Sequence, residues 1–161
     1  EEVGKDAARF FYVSGSHDQH LDFNLDLAKS KNNENPVYYI QYAHARIHKV
    51  IEELKNNGLV FDKQSGISNL EKLSAQHETE IITKLSDYPD VITQSAKKKS
   101  VHSLAHYLVE LAQLVHSYYS AHRFIVENLE LRNARIALIT AASCVISDGL
   151  SILGVSAPEK M

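Results

Sequence analysis

The clearest hydrophobic pattern in the first half of the chain follows Pro36 and continues to about Asn57. Its apolar side chains recur at helical spacing on one face, which predicts a helix that packs into a core. Proline suits the first position of a helix and asparagine suits the position before it, so we expect the helix to begin after Asn35. The apolar face contains Ile40, Ala43, Ile47, Val50, Ile51 and Leu54.

A second face of this helix, centred roughly 120° from the first, combines aromatic and cationic side chains. Such a combination suits unpaired bases and phosphates. The alternative is that the tyrosines are half-buried packing residues with solvated hydroxyl groups, and the pattern alone favours that alternative. The face contains Asn35, Tyr39, Tyr42, Arg46 and Lys49.

The remaining pattern predicts an all-α protein, a bundle of about five helices with a small N-terminal appendage of helix and extended chain. The alternation of Leu21–Leu27 is typical of a strand, whereas residues 63–68 have the composition of a loop. Asp6 and Asn69 are expected to cap helices. The last helix is apolar on most of its circumference and should be central. The other helices are expected at about 6–13, 69–87, 90–98, 100–128 and 131–153.

Composition favours one compact domain. The chain has 161 residues, of which 44% are hydrophobic, and its net charge of −3 argues against a surface that binds nucleic acid through bulk positive charge. Any nucleic-acid contact should therefore be local. A single cysteine, Cys144, is expected to be buried, and a reducing, cytoplasmic location is expected. No signal peptide or run of eighteen apolar residues is evident, so we expect a soluble protein without a membrane partner.

Candidate chemistry is sparse. His44/His48 and His102/His106 have the i, i+4 spacing that places two imidazoles on one helical face, but no third ligand is close in sequence, so no metal site is expected. No complete set of catalytic residues is recognisable either. Lys97-Lys98-Lys99 could contact phosphates, although such runs are usually solvated connections.

Six stretches resemble a known family. NPVYYIQYAHARI, from Asn35, resembles the start of the DALR anticodon-binding domain of arginyl-tRNA synthetases, a domain of class I synthetases. LAHYLVELAQLVHSYYSAHRF with ELRNARIALI, and the ending LGVSAPEKM, resemble the last helices and C-terminus of that family. VGKDAARFFYV and HLDFNLDLAKSKNNENP resemble the segment that joins the catalytic core to the domain. The resemblance implies a connecting segment at 1–33 and the DALR domain at 34–161.

This resemblance implies the tRNA-binding part of a ligase that joins arginine to tRNA(Arg). ATP with Mg and arginine would be needed by the full-length enzyme, which is expected to be monomeric, and no cofactor or catalytic residue is expected in this chain. The absence of an initiator methionine before Glu1 also suggests a piece of a longer protein.

Site residues implied by the resemblance lie at both ends of the domain. Tyr39, Tyr42 and Arg46 match positions that the family presents to the anticodon loop, Tyr119 matches a late tyrosine, and Met161 matches the C-terminal residue. Stem phosphates are expected to contact Lys49 and also Lys97 and Lys98. Two alternatives stay open: a helical protein–protein interaction module whose Tyr39/Tyr42 face binds a partner helix, and a histidine-based metalloenzyme.

Overall fold

The computed structural model describes residues 3–15 and 24–161, which form eight α-helices and one short 3-10 turn. The described part of the chain contains no strand, so the predicted all-α bundle is confirmed. The helices are α1 (Lys5–Ser14), α2 (Leu25–Lys29), α3 (Pro36–Asn56), α4 (Lys63–Ser68), α5 (Gln76–Ser86), α6 (Tyr88–Lys98), α7 (His102–Ala121) and α8 (Leu129–Leu153), and the turn is Leu70–Lys72.

The predicted strand is wrong where it can be checked. Residues 25–27 belong to α2, whose first turn is capped by the Asn24 side chain, which accepts a hydrogen bond from the Leu27 N–H at 3.0 Å. The local cap therefore outweighs the alternating pattern. Residues 21–23 of that prediction lie outside the described residues.

The loop predicted at residues 63–68 is also wrong, because these residues form α4. Asp62 caps this helix by accepting from the Ser65 N–H at 3.0 Å. Gly66 made the segment resemble a loop, but it is buried where α4 meets α8, and a Cβ there would lie 2.6 Å from the Asn133 carbonyl oxygen. Here glycine allows two helices to approach closely.

Two predicted caps and one helix end also differ. Asp6 lies within α1, after Gly4, and its carboxylate instead accepts from the Ser156 N–H at 3.2 Å. Asn69 donates back to the Ser65 carbonyl, so α5 begins only at Gln76. Helix α7 ends at Ala121 rather than near residue 128, because the following segment turns back and buries the Phe124 ring against Tyr118 at 4.9 Å.

Helix α8 lies at the centre of the bundle and packs against α3, α4, α5 and α7, as its apolar sequence predicted. Within the described ranges it is also the one helix apolar and long enough to cross a membrane by length and composition, which is weak evidence because a core helix passes the same test. Cys144 lies on the exposed side of this helix, so the predicted burial of the thiol is wrong. Its neighbours along the helix, Ala142, Ser143 and Ile146, are buried instead.

The start of α3 is fixed by Asn35, as predicted. Its side chain accepts from the Val37 N–H at 3.2 Å and donates to the Ser30 carbonyl at 2.8 Å. This residue is buried, so it does not belong to the exposed face to which the helical projection assigned it. One buried amide thus caps α3 and holds the end of α2 against it.

Helix α1 packs into the same core as the rest of the bundle. The Phe10 side chain is only 1% exposed, and Ala7 is buried beside it. The division into a connecting segment at 1–33 and a domain at 34–161 stays a prediction, but α1 contributes apolar side chains to the common core.

A buried ion pair joins α5 to α8 and to the end of α7. The Glu78 carboxylate accepts from the Arg135 Nε–H at 2.8 Å, from the Tyr118 hydroxyl at 2.8 Å and from the Ala75 N–H at 2.9 Å. Arg135 also donates to the Arg123 carbonyl at 2.7 Å. Burial alone would raise the pKa of Glu78, but these hydrogen bonds and the Arg135 charge together hold that pKa below its usual value.

We predict that Glu78→Gln lowers the free energy of unfolding at pH 7 by about 3 kcal/mol, because it leaves Arg135 without its counter-charge. A carboxyl group with a depressed pKa stabilises the fold above its unfolded-state pKa, near 4.3, and loses this effect as the pH falls through the folded-state pKa. The difference between wild type and variant should therefore shrink in acid. Urea unfolding at pH 7 and at a pH below the folded-state pKa of Glu78 measures this difference in the free energy of unfolding.

Glu130→Gln is the matched control, because Glu130 pairs with Lys72 at 2.8 Å on the surface. Exposed pairs stabilise proteins little. Equal losses of stability in the two variants would contradict the assigned importance of the Glu78 ion pair.

Candidate nucleic-acid interface

The face of α3 that carries the predicted site residues borders α7. Tyr39, Tyr42 and Arg46 are half-buried, whereas Lys49 is exposed to solvent. They lie on one side because Ile40, Ala43, Ile47, Val50 and Leu54 are buried on the other. The two faces predicted from the sequence are therefore both present.

Arg46 lies between two tyrosine rings. Its guanidinium carbon is 4.4 Å from the centroid of the Tyr42 ring and 4.8 Å from that of Tyr119, which α7 contributes. Tyr42 also stacks on Tyr38, with ring centroids 6.1 Å apart and an angle of 27° between the planes. The structure thus brings Tyr119 of α7 together with Tyr42 and Arg46 of α3, as the predicted site requires.

Tyr119 and its neighbour Tyr118 have different roles. The Tyr118 side chain is fully buried and donates to Glu78, so it belongs to the core. Tyr119 is half-buried beside Arg46. The sequence pattern alone does not distinguish whether each tyrosine is a core residue or a ligand contact. The structure places Tyr118 in the core and Tyr119 at the surface beside Arg46.

His116 is a site residue that sequence reasoning missed. One ring nitrogen, Nδ1, lies 3.1 Å from Arg46 Nη1, and the other, Nε2, lies 3.0 Å from the Tyr39 carbonyl oxygen. Burial lowers the pKa of His116 below its usual value; the Arg46 charge acts in the same direction, and the hydrogen bond to Tyr39 opposes both. The sequence contained one signal for this role: His116 lies one helical turn before Tyr119, on the same helix.

The C-terminal segment turns back onto α3 directly after α8. Gly154 ends the helix in the left-handed conformation, with φ of 69°, and the Val155 N–H donates to the Leu150 carbonyl at 2.9 Å. This pair of features reverses the chain direction. The Gln41 side-chain amide then donates to the Ser156 carbonyl at 2.9 Å.

Histidines of α3 hold the next part of this segment. His44 Nδ1 donates to the Pro158 carbonyl at 2.9 Å, and burial lowers the pKa of His44 below its usual value. His48 Nδ1 lies 3.8 Å from the Glu159 carboxylate. The segment therefore follows α3 from its first half towards its second and brings the chain to the Arg46 side.

The result is an open cleft of about 540 Å³ between the C-terminal segment, α3 and the end of α7. Met161 is 52% exposed at its edge. The Lys160 Nζ atom lies 3.0 Å from the Glu52 carboxylate across the same surface. The residues that line the cleft are Tyr42, Ala45, Arg46, Lys49, Glu52, Tyr119, Glu159, Lys160 and Met161.

Lys97 and Lys98 are not brought into this cleft. They lie in the last turn of α6, next to the first turn of α7, where Ser95 and Ser103 are hydrogen-bonded at 3.1 Å. Tyr119 lies 17 residues after the start of α7, and at 1.5 Å per residue this places the lysines about 25 Å from it along the helix. Their contact with phosphates stays a prediction.

The two histidine pairs with i, i+4 spacing each bring their imidazole rings close together. His102 and His106 face each other with ring centroids 4.5 Å apart, and His44 and His48 do the same at 4.5 Å. Within residues 3–15 and 24–161, no group of three or more His, Cys, Asp or Glu side chains could hold a metal ion. The geometry therefore gives no support to the metalloenzyme alternative.

The fold and the cleft together define an all-helical domain whose open cleft combines aromatic and charged side chains. A family model described as the DALR anticodon binding domain matches residues 40–161, and the chain belongs to that family.

Known proteins similar to this chain carry consistent names. The arginine–tRNA ligase of Coxiella burnetii (strain CbuK_Q154) is 55% identical over 160 residues, which are 99% of this chain and 27% of that protein. The arginine–tRNA ligase of Legionella pneumophila (strain Corby) is 53% identical over 161 residues, covering 100% of this chain and 28% of that protein. The solved Thermus thermophilus arginyl-tRNA synthetase matches with a TM-score of 0.80 and 28% identity, covering 99% of this chain and 27% of that one. The chain thus spans little more than a quarter of these relatives.

We predict that His44→Phe loosens the C-terminal segment without unfolding the bundle. Phenylalanine keeps an aromatic ring beside His48 but cannot donate to the Pro158 carbonyl. Backbone ¹⁵N order parameters of residues 159–161 should then fall below about 0.6, as in flexible chain.

His106→Phe is the matched control for this variant, because His106 is an exposed histidine of α7. Order parameters at residues 159–161 should stay unchanged in it. A C-terminal segment that stays equally ordered in His44→Phe would show that this hydrogen bond does not hold it.

Proposed function

We propose that this chain binds the anticodon stem and loop of an arginine-accepting tRNA. The observation that supports the proposal most strongly is the arrangement of Arg46 between Tyr42 and Tyr119, at an open cleft that Met161 borders. Membership in the anticodon-binding family supports the RNA ligand. The names of the relatives support arginine as the amino acid.

Arg46 is suited to bind an unpaired base. A guanidinium group has five N–H donors in one plane, and His116 accepts from its Nη1. The other donors can bind a base edge or a phosphate. A hydrogen bond that involves a charged group contributes about 1.5–3 kcal/mol.

Tyr39 and Tyr42 have different surroundings for this task. One side of the Tyr39 ring is covered by His116, at a centroid distance of 4.3 Å. Tyr42 lies in the lining of the cleft beside Arg46. The Tyr42 ring is itself covered by Arg46 and stacked on Tyr38. We therefore assign Tyr42 to edge contacts with a base and to holding Arg46, and Tyr39 to the edge of the contact and to the support of His116.

Met161 and Lys49 complete the proposed contact surface. Groups of Met161 can reach a base edge from the lining of the cleft that also contains Arg46, since the C-terminal segment is already held along α3. Lys49 is exposed at the same cleft and can neutralise a phosphate. The cleft lining combines the cationic Arg46, Lys49 and Lys160 with the acidic Glu52 and Glu159, and Lys160 is paired with Glu52. Arg46 and Lys49 are therefore the cations that we assign to RNA.

We further propose that the chain serves a class I arginine–tRNA ligase, which would use ATP with Mg to join arginine to tRNA(Arg) in the cytoplasm as a monomer. In this proposal the described residues bind tRNA, while arginine activation belongs to the part of such enzymes that the chain does not match. Supporting this division, the chain spans about 27% of its relatives.

We predict that Arg46→Ala weakens binding of an arginine-accepting tRNA transcript about tenfold or more, since it removes a charge-assisted hydrogen bond to RNA worth about 1.5 kcal/mol or more. The thermal midpoint of unfolding should hardly change, because the side chain faces an open cleft. Filter-binding titration and thermal denaturation measure the two effects.

Arg46→Lys is the control for charge, because lysine keeps the positive charge without the planar fork. It should recover little of the lost affinity. Unchanged tRNA binding in Arg46→Ala would refute the role of Arg46. If wild-type binding does not fall steeply with salt, as phosphate contacts require, the protein–protein interaction alternative becomes the better explanation.

We also predict that the double variant Lys97→Ala/Lys98→Ala lowers the steepness of the salt dependence by about one for each phosphate that is no longer neutralised. Sequence preference should not change, because these lysines lie far from the cleft. An unchanged slope in the titration would remove both residues from the proposed interface, and it would limit the interface to the α3 side of the bundle.

A further inference from the structure

His116 is a buried polar side chain that connects α7 with two points of α3. It is 8% exposed. Its ring lies 4.3 Å from the Tyr39 ring and 5.6 Å from the Tyr42 ring, as measured between centroids. Its two nitrogens lie within hydrogen-bond distance of the Tyr39 carbonyl oxygen and of Arg46 Nη1.

These two partners determine the proton position on the ring. A guanidinium group can only donate, so Nδ1 of His116 must accept from Arg46. A carbonyl oxygen can only accept, so Nε2 must carry the proton that is donated to Tyr39. Only the neutral imidazole with its proton on Nε2 satisfies both contacts.

We propose that His116 is a positioning residue, whose Nδ1 lone pair holds Arg46 between the rings of Tyr42 and Tyr119 in the orientation that receives RNA. The proposal rests on the proposed function of Arg46. A long arginine side chain loses considerable rotamer freedom when a ligand orders it. By holding the side chain before RNA arrives, His116 removes part of that cost from the binding step.

Two substitutions separate this role from packing. His116→Phe keeps a ring against Tyr39 but has no acceptor for Arg46. His116→Gln can accept through Oε1 and donate through Nε2, so it can replace both hydrogen bonds. With an arginine-accepting tRNA transcript as the probe, we expect His116→Phe to weaken binding about threefold to tenfold, and His116→Gln to retain most of the affinity.

His106→Phe is the control for the phenylalanine substitution, because His106 lies on the same helix and is exposed. It should bind the transcript like the wild type. Equal losses of affinity in His106→Phe and His116→Phe would overturn the proposal. So would a loss in His116→Gln as large as that in His116→Phe.

A double-mutant cycle with Arg46 gives the decisive readout. If His116 acts through Arg46, His116→Phe has no further effect on tRNA affinity once Arg46 is alanine. An equal effect in both backgrounds would overturn the positioning role while leaving the proposed function intact. An Arg46→Ala variant that binds like the wild type would overturn both.

The proton position can be measured without any variant, which keeps the proposal testable if His116→Phe does not fold. Long-range ¹H–¹⁵N correlation spectra distinguish the two neutral tautomers of a histidine. We expect the His116 ring of the wild-type chain to be protonated on Nε2 at neutral pH. Protonation on Nδ1 would exclude the hydrogen bond from Arg46 and overturn the proposal.

Discussion

Burial of one side of α3 determines where the other side points. Ile40, Ile47 and Leu54 are each no more than 2% exposed, so the helix cannot rotate without exposing a core residue. Because side chains three and four positions apart share a face, this orientation directs Tyr42 and Arg46 towards α7. The position of the cleft is therefore a consequence of core packing.

Three distant segments meet at this cleft: the middle of α3, the end of α7 and the C-terminal segment. None of them forms the cleft alone. The Glu78 ion pair stabilises the region around the end of α7, and the left-handed Gly154 turns the C-terminal segment back. The site thus depends on the complete bundle, although its ligand contacts involve few side chains.

The sequence predicted the long helices and both faces of α3, because helical periodicity and the cap at Asn35 are local signals. It could not predict α4, since Gly66 indicates a loop unless its close approach to α8 is known. The predicted burial of Cys144 was wrong because one side of α8 is exposed, although that side also carries apolar residues and so cannot be recognised from composition. The role of His116 depends on contacts with residues seventy or more positions away, which no local pattern contains.

The most direct test of an RNA surface on α3 is an NMR titration of the ¹⁵N-labelled chain with an anticodon stem-loop from an arginine-accepting tRNA. We predict amide shift changes concentrated at residues 39–52 of α3, at the end of α7 around Tyr119, and at residues 158–161. Shift changes confined to other parts of the bundle, or no changes with a stem-loop that is in excess, would contradict it.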